Sequence, residues 1–119
     1  MGETIACRFL RRRGFVIIER NYTQKWGEID IIAIQGAITH FIEVKSVSCE
    51  NIFGSADMGD VHRPEDQVHP RKLLRISRTL RTYLSAHPEV GEWSFDVICV
   101  YINQAKKFAR VKIMSDLTL

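Results

Sequence analysis

The chain has 119 residues, of which 45% are hydrophobic and 26% charged, and its formal net charge is +3. These are ordinary values for a globular protein, and the length suits a single domain over residues 1–119 with one core. No run of about 18 apolar residues occurs, which excludes a transmembrane helix and a membrane partner. Three widely spaced cysteines without a CxxC pair exclude a disulfide framework and a zinc ribbon. Because the N-terminal residues also lack a signal-peptide core, we expect a cytoplasmic protein.

The pattern of apolar and polar residues predicts an α/β (α+β) fold with two helices and five strands. In chain order, the predicted elements are a helix at 2–13, strands at 15–18, 26–35 and 38–47, a helix at 70–86, and strands at 93–102 and 108–114. Gly14 supplies the C′ residue that ends the first helix. Residues 21–25 are predicted to be a polar connection, and residues at about 48–70 a long loop.

The predicted hairpin of the second and third strands brings three charged side chains together. A glycine followed by alanine at 36–37 suits a two-residue type II′ turn. With that turn, Asp30 lies directly opposite Glu43, where two like charges are destabilising. Lys45 shares a face with Glu43 and Val44 points away, since side chains alternate along a strand. Two facing carboxylates beside a lysine therefore predict a bound divalent cation.

Basic residues cluster on both predicted helices. The clusters comprise Arg8, Arg11, Arg12 and Arg13 on the first helix, and Arg71, Lys72, Arg75, Arg78 and Arg81 on the second. Such clusters favour a polyanionic partner, although a solvated helix face explains either cluster taken alone about equally well. The residues that we expect to bind nucleic acid are Lys72, Arg71, Arg75, Arg12 and Arg13.

The order of the elements, an acid in the first helix, Asp30 and the triplet 43–45 resemble the restriction-endonuclease-like superfamily of PD-(D/E)xK nucleases. Within it, the chain is most similar to the small bacterial YraN-type proteins, a group of endonuclease-like sequences, and more distantly to archaeal Holliday-junction resolvases. The Asp-x12-Glu-x-Lys spacing is loose alone and becomes specific only with its flanking segments. Those segments are residues 2–3 with Ala6 and Leu10, 12–15, 20–22, 27–33, 41–45, Lys72 with Leu73, 75–76, and 95–97.

The resemblance implies a mixed central sheet flanked by helices and a metal-dependent endonuclease that hydrolyses phosphodiester bonds in DNA, including branched or structured DNA. Asp30, Glu43, Lys45 and Glu3 would be the catalytic residues. The cofactor would be Mg²⁺, with Mn²⁺ as a substitute, held by Asp30, Glu43 and the main-chain carbonyl of Val44. Lys45 would orient the attacking water and offset the charge that develops on the phosphate.

Other interpretations of the same residues stay open. Asp30 and Lys45 could form an ordinary cross-strand ion pair with Glu43 solvated, and Glu3 could only complement the dipole of its helix. Asp96 is predicted to form a hydrogen bond at the edge of the core. The whole chain could be a catalytically inactive nucleic-acid-binding module, or an interaction module whose acidic loop holds a repair or DNA-uptake protein. We expect a homodimer if both DNA strands are cut.

Overall fold

The computed structural model describes residues 1–48, 69–103, 105 and 107–119. Two helices and five strands follow one another in the predicted order, α-β-β-β-α-β-β. They are α1 (Gly2–Arg12), β1 (Val16–Gln24), β2 (Gly27–Gln35), β3 (Ile38–Ser48), α2 (Pro70–Ala86), β4 (Trp93–Asn103) and β5 (Phe108–Met114). This is a mixed α+β fold compatible with a restriction-endonuclease-like core, and the predicted fold class is confirmed. Most of the loop predicted at 48–70 lies outside the described residues.

The five strands form one mixed sheet in the order β1-β2-β3-β4-β5. β3 and β4 are parallel and the other neighbours antiparallel, so α2 lies within the long crossover that a parallel pair requires. The predicted hairpin register is confirmed from Gln35–Ile38 to Ile31–Ile42. Gly36 has a φ of 61° and Ala37 does not share the positive value, which fits the predicted type II′ turn.

The end of α1 follows the prediction from Gly14. This glycine has a φ of 89°, its N–H donates to the Arg11 carbonyl, and the Phe15 N–H donates to the Leu10 carbonyl. The two bonds form a Schellman motif, which satisfies carbonyls that the helix leaves without partners. Chain direction therefore reverses sharply between α1 and β1.

The extent of β1 differs from the prediction. The strand runs over Val16–Gln24, so residues 22–24 are paired rather than a polar connection, with Tyr22 opposite Ile29 and Thr23 opposite Glu28. β1 is an edge strand with mostly exposed side chains, and it therefore lacks the apolar alternation that would have revealed it. Pairing with the buried strand β2 outweighs its polar composition.

The helices cover opposite faces of the sheet. On one face, Ala6 and Leu10 of α1 pack with Ile31, Ile42 and Ile98. On the other face, Leu80 and Tyr83 of α2 pack with Ile32 and Phe41, and Ile76 packs with Phe95 and Val97. Neither described helix combines the length and apolar character that crossing a bilayer would need.

A buried polar network holds the segment after β5. Asp96 is fully buried, and its carboxylate accepts hydrogen bonds from Ser94 Oγ at 3.1 Å and from the Asp116 N–H at 2.8 Å. His40 Nδ1 lies 2.6 Å from the other oxygen of Asp96. Leu117 then packs against the cluster that contains Ile76 of α2. The predicted structural role of Asp96 agrees with these contacts.

The hairpin tip of β1 and β2 touches α2 at Gly27. A Cβ placed there would lie 3.0 Å from Thr79 Oγ1 and 3.2 Å from Arg75 Cβ. The Thr79 hydroxyl donates to the Arg75 carbonyl at 2.7 Å and so cannot move aside freely. The close approach of the strand to the helix therefore favours glycine at this position.

We expect Gly27→Ala to lower the free energy of unfolding by about 1–3 kcal/mol, because the methyl group overpacks the contact between β2 and α2. Gly91→Ala is the matched control, since an added Cβ there has no neighbour within 4 Å. It should change stability by about 0.5 kcal/mol or less. Urea unfolding followed by circular dichroism measures both, and equal values for the two variants would contradict the tight contact.

Candidate active site

β2 and β3 separate where their acidic residues lie. Their backbone ladder ends at Ile31–Ile42, while β2 continues to pair with β1 down to Gly27 and β3 with β4 up to Ser48. In place of the next ladder bond, Asp30 Oδ2 accepts the N–H of Val44 at 2.8 Å. The strands thus open into a gap at the position of Asp30 and Glu43.

The regular alternation of β2 is also interrupted beside Asp30. Ile31 packs on the α1 face, whereas Ile29 and Ile32 both pack with Tyr83 of α2. Opposite Asp30, between the residues paired with Ile31 and Ile29, Asn21 has a φ of 55°. Asparagine tolerates this left-handed conformation better than most residues. Both β1 and β2 are therefore irregular at the position of Asp30.

Asp30 and Glu43 form a buried carboxylate pair, 7% and 6% exposed. Burial, a hydrogen bond between the two carboxyl groups and repulsion by the Glu43 charge raise the pKa of Asp30 from 3.8 to about 7. The hydrogen bond from Val44 and the positive charge of Lys72 act in the opposite direction. Near neutral pH the pair therefore holds a proton for part of the time, as expected for two carboxyl groups that share one site.

Two lysines from different elements adjoin this pair. Lys72 Nζ of α2 lies 3.1 Å from Glu43 Oε2. Burial lowers the pKa of Lys72, but the hydrogen bond with Lys45 and the charges of Glu43 and Asp30 outweigh it and raise the pKa. Burial and the neighbouring Lys72 lower the pKa of Lys45, despite the two carboxylates. Lys45 is therefore the lysine that releases its proton more readily.

The predicted faces of β3 agree with the structure. Val44 packs on the α1 side, whereas Glu43 meets Lys72 on the α2 side and Lys45 interacts with the same groups. The predicted alternative of a simple pair between Asp30 and Lys45 does not describe this arrangement, since Glu43 is buried and ion-paired. The four charged groups form one cluster.

A cavity of about 290 Å³ opens beside this cluster. Its lining residues come from β2, β3 and α2, and are Gly27, Glu28, Glu43, Lys72, Arg75 and Ile76. Acids lie on the strand side and bases on the helix side. A cavity with this distribution can admit a cation against the strands and an anion against the helix.

Glu3, the predicted catalytic acid of the first helix, lies elsewhere. Its carboxylate is 3.7 Å from the Arg20 guanidinium and about 3.2 Å from the Asn21 amide group, in a separate cavity of about 420 Å³ that Val44 also lines. Within the described ranges, no set of three His, Cys, Asp or Glu side chains is arranged to hold a metal. The structure brings Asp30 and Glu43 together without Glu3, whose catalytic role stays a prediction.

The predicted nucleic-acid-binding residues divide between the two faces. Lys72 and Arg75 line the cavity of the carboxylate pair, and Arg71 is exposed on the first turn of α2. Arg12 and Arg13 lie on the α1 side, in a groove that Arg8 and Arg110 also line. The contact of Lys72 with Glu43 was missed by sequence reasoning, because nothing local to either residue shows where α2 crosses the sheet.

Comparison with known proteins shows similarity along most of the chain. A UPF0102 protein of Campylobacter lari is 36% identical over 105 residues, which cover 88% of this chain and 84% of the relative. A UPF0102 protein of Helicobacter pylori is 38% identical over 99 residues, covering 83% and 76%. A third, of Helicobacter hepaticus, is 35% identical over 99 residues, covering 83% and 79%.

These names state no activity, so the relatives establish kinship and leave the chemistry to the site itself. The sequence pattern of one family, described as "Uncharacterised protein family UPF0102", matches residues 2–100. That span contains the hairpin, the carboxylate pair and both lysines. The chain therefore belongs to the UPF0102 family.

Proposed function

We propose that the protein is a metal-dependent endonuclease that hydrolyses phosphodiester bonds in DNA. The observation that carries the proposal is the buried pair of Asp30 and Glu43 beside Lys45 and Lys72, at the point where two strands separate. Burying like charges together is costly, and clusters of this kind concentrate at functional sites. The resemblance to PD-(D/E)xK nucleases supplies the reaction class.

The donor atoms suit a hard divalent cation. Mg²⁺ and Mn²⁺ prefer oxygen ligands, and the two adjacent carboxylates of Asp30 and Glu43 offer two such ligands whose repulsion a cation would relieve. Asp30 and Glu43 would hold the ion, and the superfamily pattern adds the carbonyl of Val44. When bound, such an ion polarises a phosphodiester and makes a coordinated water more acidic.

The protein's own groups would orient and neutralise the reacting phosphate. Lys45, with its lowered pKa, is suited to orient an attacking water and to accept or return a proton. Arg75 presents a guanidinium at the same cavity, where it can neutralise a phosphate oxygen. The Val44 N–H fixes one oxygen of Asp30, which limits the rotation of the carboxylate.

The exposed bases of α2 extend this site along a DNA backbone, as phosphate contacts with Arg and Lys commonly do. The arginines of α1 lie on the other face and would contact a further part of the substrate. Branched or structured DNA is the substrate that the resemblance favours. A homodimer would be needed to cut both DNA strands. The proposed localisation of the protein is cytoplasmic.

We expect Asp30→Asn and Lys45→Met each to reduce Mg²⁺-dependent nicking by about 10²–10⁴-fold, because one removes a metal ligand and the other a proton-transfer group. A panel of linear, nicked, flap and four-way DNA substrates, titrated with Mg²⁺ and Mn²⁺, measures the effect. Lys107→Met is the matched control, since it makes the same change in the exposed turn between β4 and β5.

A wild-type rate of Mg²⁺-dependent nicking by Lys45→Met would contradict the proposed role of Lys45 in proton transfer. DNA binding without cleavage of any substrate, unaffected by either site variant, would instead identify a catalytically inactive nucleic-acid-binding module. Phosphate contacts are tested by the salt dependence of that binding, since each contact releases counterions.

The raised pKa of Asp30 predicts a pH-dependent cost of folding. The folded state holds this proton more tightly than the unfolded state, so the stabilisation is complete below pH 3.8 and is lost as pH rises through about 7. Asp30→Asn should therefore gain stability over wild type between about pH 5 and pH 8, by about 2–3 kcal/mol. Urea unfolding at several pH values measures the difference.

Mg²⁺ should reverse this trend in the wild type alone, stabilising it more at about pH 8 than at pH 5, where the shared proton competes with the cation. Glu28→Gln serves as the control, since it removes an exposed carboxylate of the same cavity. A constant difference between Asp30→Asn and wild type across this range would show that the two acids do not share a proton.

A further inference from the structure

We propose that the Lys72 ammonium and the divalent cation compete for Glu43, so that metal binding releases Lys72 to hold a substrate phosphate. This inference rests on the proposed function for the nature of the cation and the phosphate. It assigns Lys72 a positioning role that neither the family nor its motif provides.

The ion pair between Lys72 and Glu43 is close, and its two side chains differ in burial. Nζ lies 3.1 Å from Oε2, the range of a charge-assisted hydrogen bond. The Glu43 side chain is 7% exposed and the Lys72 side chain 41% exposed. A buried carboxylate cannot turn to solvent for another partner, whereas a half-exposed lysine on a flexible stem can. An exchange of partners at Glu43 therefore moves the lysine.

One oxygen of each carboxylate in the pair already has a partner. Asp30 Oδ2 already accepts the N–H of Val44, and Glu43 Oε2 accepts the Lys72 ammonium. A dication held by Glu43 would share that carboxylate with the Lys72 ammonium, and two positive charges on one carboxylate repel each other in a partly buried site. Metal binding and the Lys72 ion pair therefore oppose each other.

The released ammonium has a defined place to go. Lys72 and Arg75 are three residues apart on α2, so they lie on one face of the helix, and both line the cavity beside Glu43. Freed from Glu43, Lys72 would stand with Arg75 on the helix side of the cavity, where it can hold a phosphate. Metal and phosphate would then bind cooperatively, and this coupling must be reciprocal.

The test measures Mn²⁺ binding by the full chain in the absence of DNA, by titration calorimetry or the electron paramagnetic resonance signal of the free ion. Lys72→Met should tighten Mn²⁺ binding by about tenfold, because the competitor is gone. Arg71→Met is the matched control, since it removes one exposed positive charge from the same helical turn. It should change the affinity by about twofold or less, because exposed charges are screened.

Two further variants keep the test decisive. Lys72→Arg retains the competing charge and should bind Mn²⁺ with nearly the wild-type affinity. Lys72→Gln retains a hydrogen-bond donor for the buried Glu43 without the charge, and should bind Mn²⁺ about tenfold more tightly than wild type. It provides the test if the methionine variant does not fold. A purely structural role of Lys72 would not tighten metal binding in either uncharged variant.

The coupling is measured with a phosphorothioate duplex, which keeps its charge and resists cleavage. Mn²⁺ should strengthen the binding of this duplex to wild type by about tenfold and to Lys72→Gln by much less. Equal strengthening in both proteins would overturn the release of Lys72 to phosphate.

Mn²⁺ affinity in the folded uncharged variants no tighter than in Arg71→Met would overturn the competition, as would a wild type that binds no Mn²⁺. The failure of the proposed function is distinguishable, because the metal titration contains no DNA. Tighter Mn²⁺ binding in Lys72→Gln with no cleavage by wild type on any substrate would contradict the nuclease alone.

Discussion

The site depends on one hydrogen bond, in which the N–H of Val44 donates to the carboxylate of Asp30. In a continuous ladder, this N–H would donate to a backbone carbonyl of β2. A sheet can end the pairing of two central strands only if their polar groups find other partners. Here β1 and β4 satisfy the outer edges of the two strands, and the Asp30 side chain satisfies part of the inner edge. The opening that results holds two buried carboxylates.

The burial of two carboxylates together is tolerable because two partly exposed lysines nearly cancel their charge. Lys72 compensates Glu43 directly, and the shared proton reduces the repulsion between Asp30 and Glu43. For Lys45, burial and then the nearby Lys72 ammonium make the charged form less favourable and lower its pKa. The charges of the cluster are thus nearly balanced. Any ion that binds there must change the protonation of the cluster and its ion pairs.

The sequence rules for turns and strand pairing predicted the hairpin part of this site. The glycine at 36 fixes the turn, the turn fixes the register, and the register brings Asp30 next to Glu43. The position of Lys72 follows instead from the crossing of α2 over the sheet, which depends on close contact with Gly27 far away in the sequence. Likewise, the polar strand β1 and the placement of Glu3 beside Arg20 depend on tertiary pairing that composition does not show.

The network around Asp96 connects the end of the chain to the helix that carries Lys72. Asp96 fixes the backbone at Asp116, and the following Leu117 packs against the cluster that contains Ile76. Leu73 of α2 packs against the same cluster, and these two residues of α2 are the immediate neighbours of Lys72 and Arg75. Displacement of the segment 116–117 would remove this packing from the first half of α2 and let the helix tilt from the sheet. Sequence variation in a tail far from the acids would then tune how firmly the site is assembled.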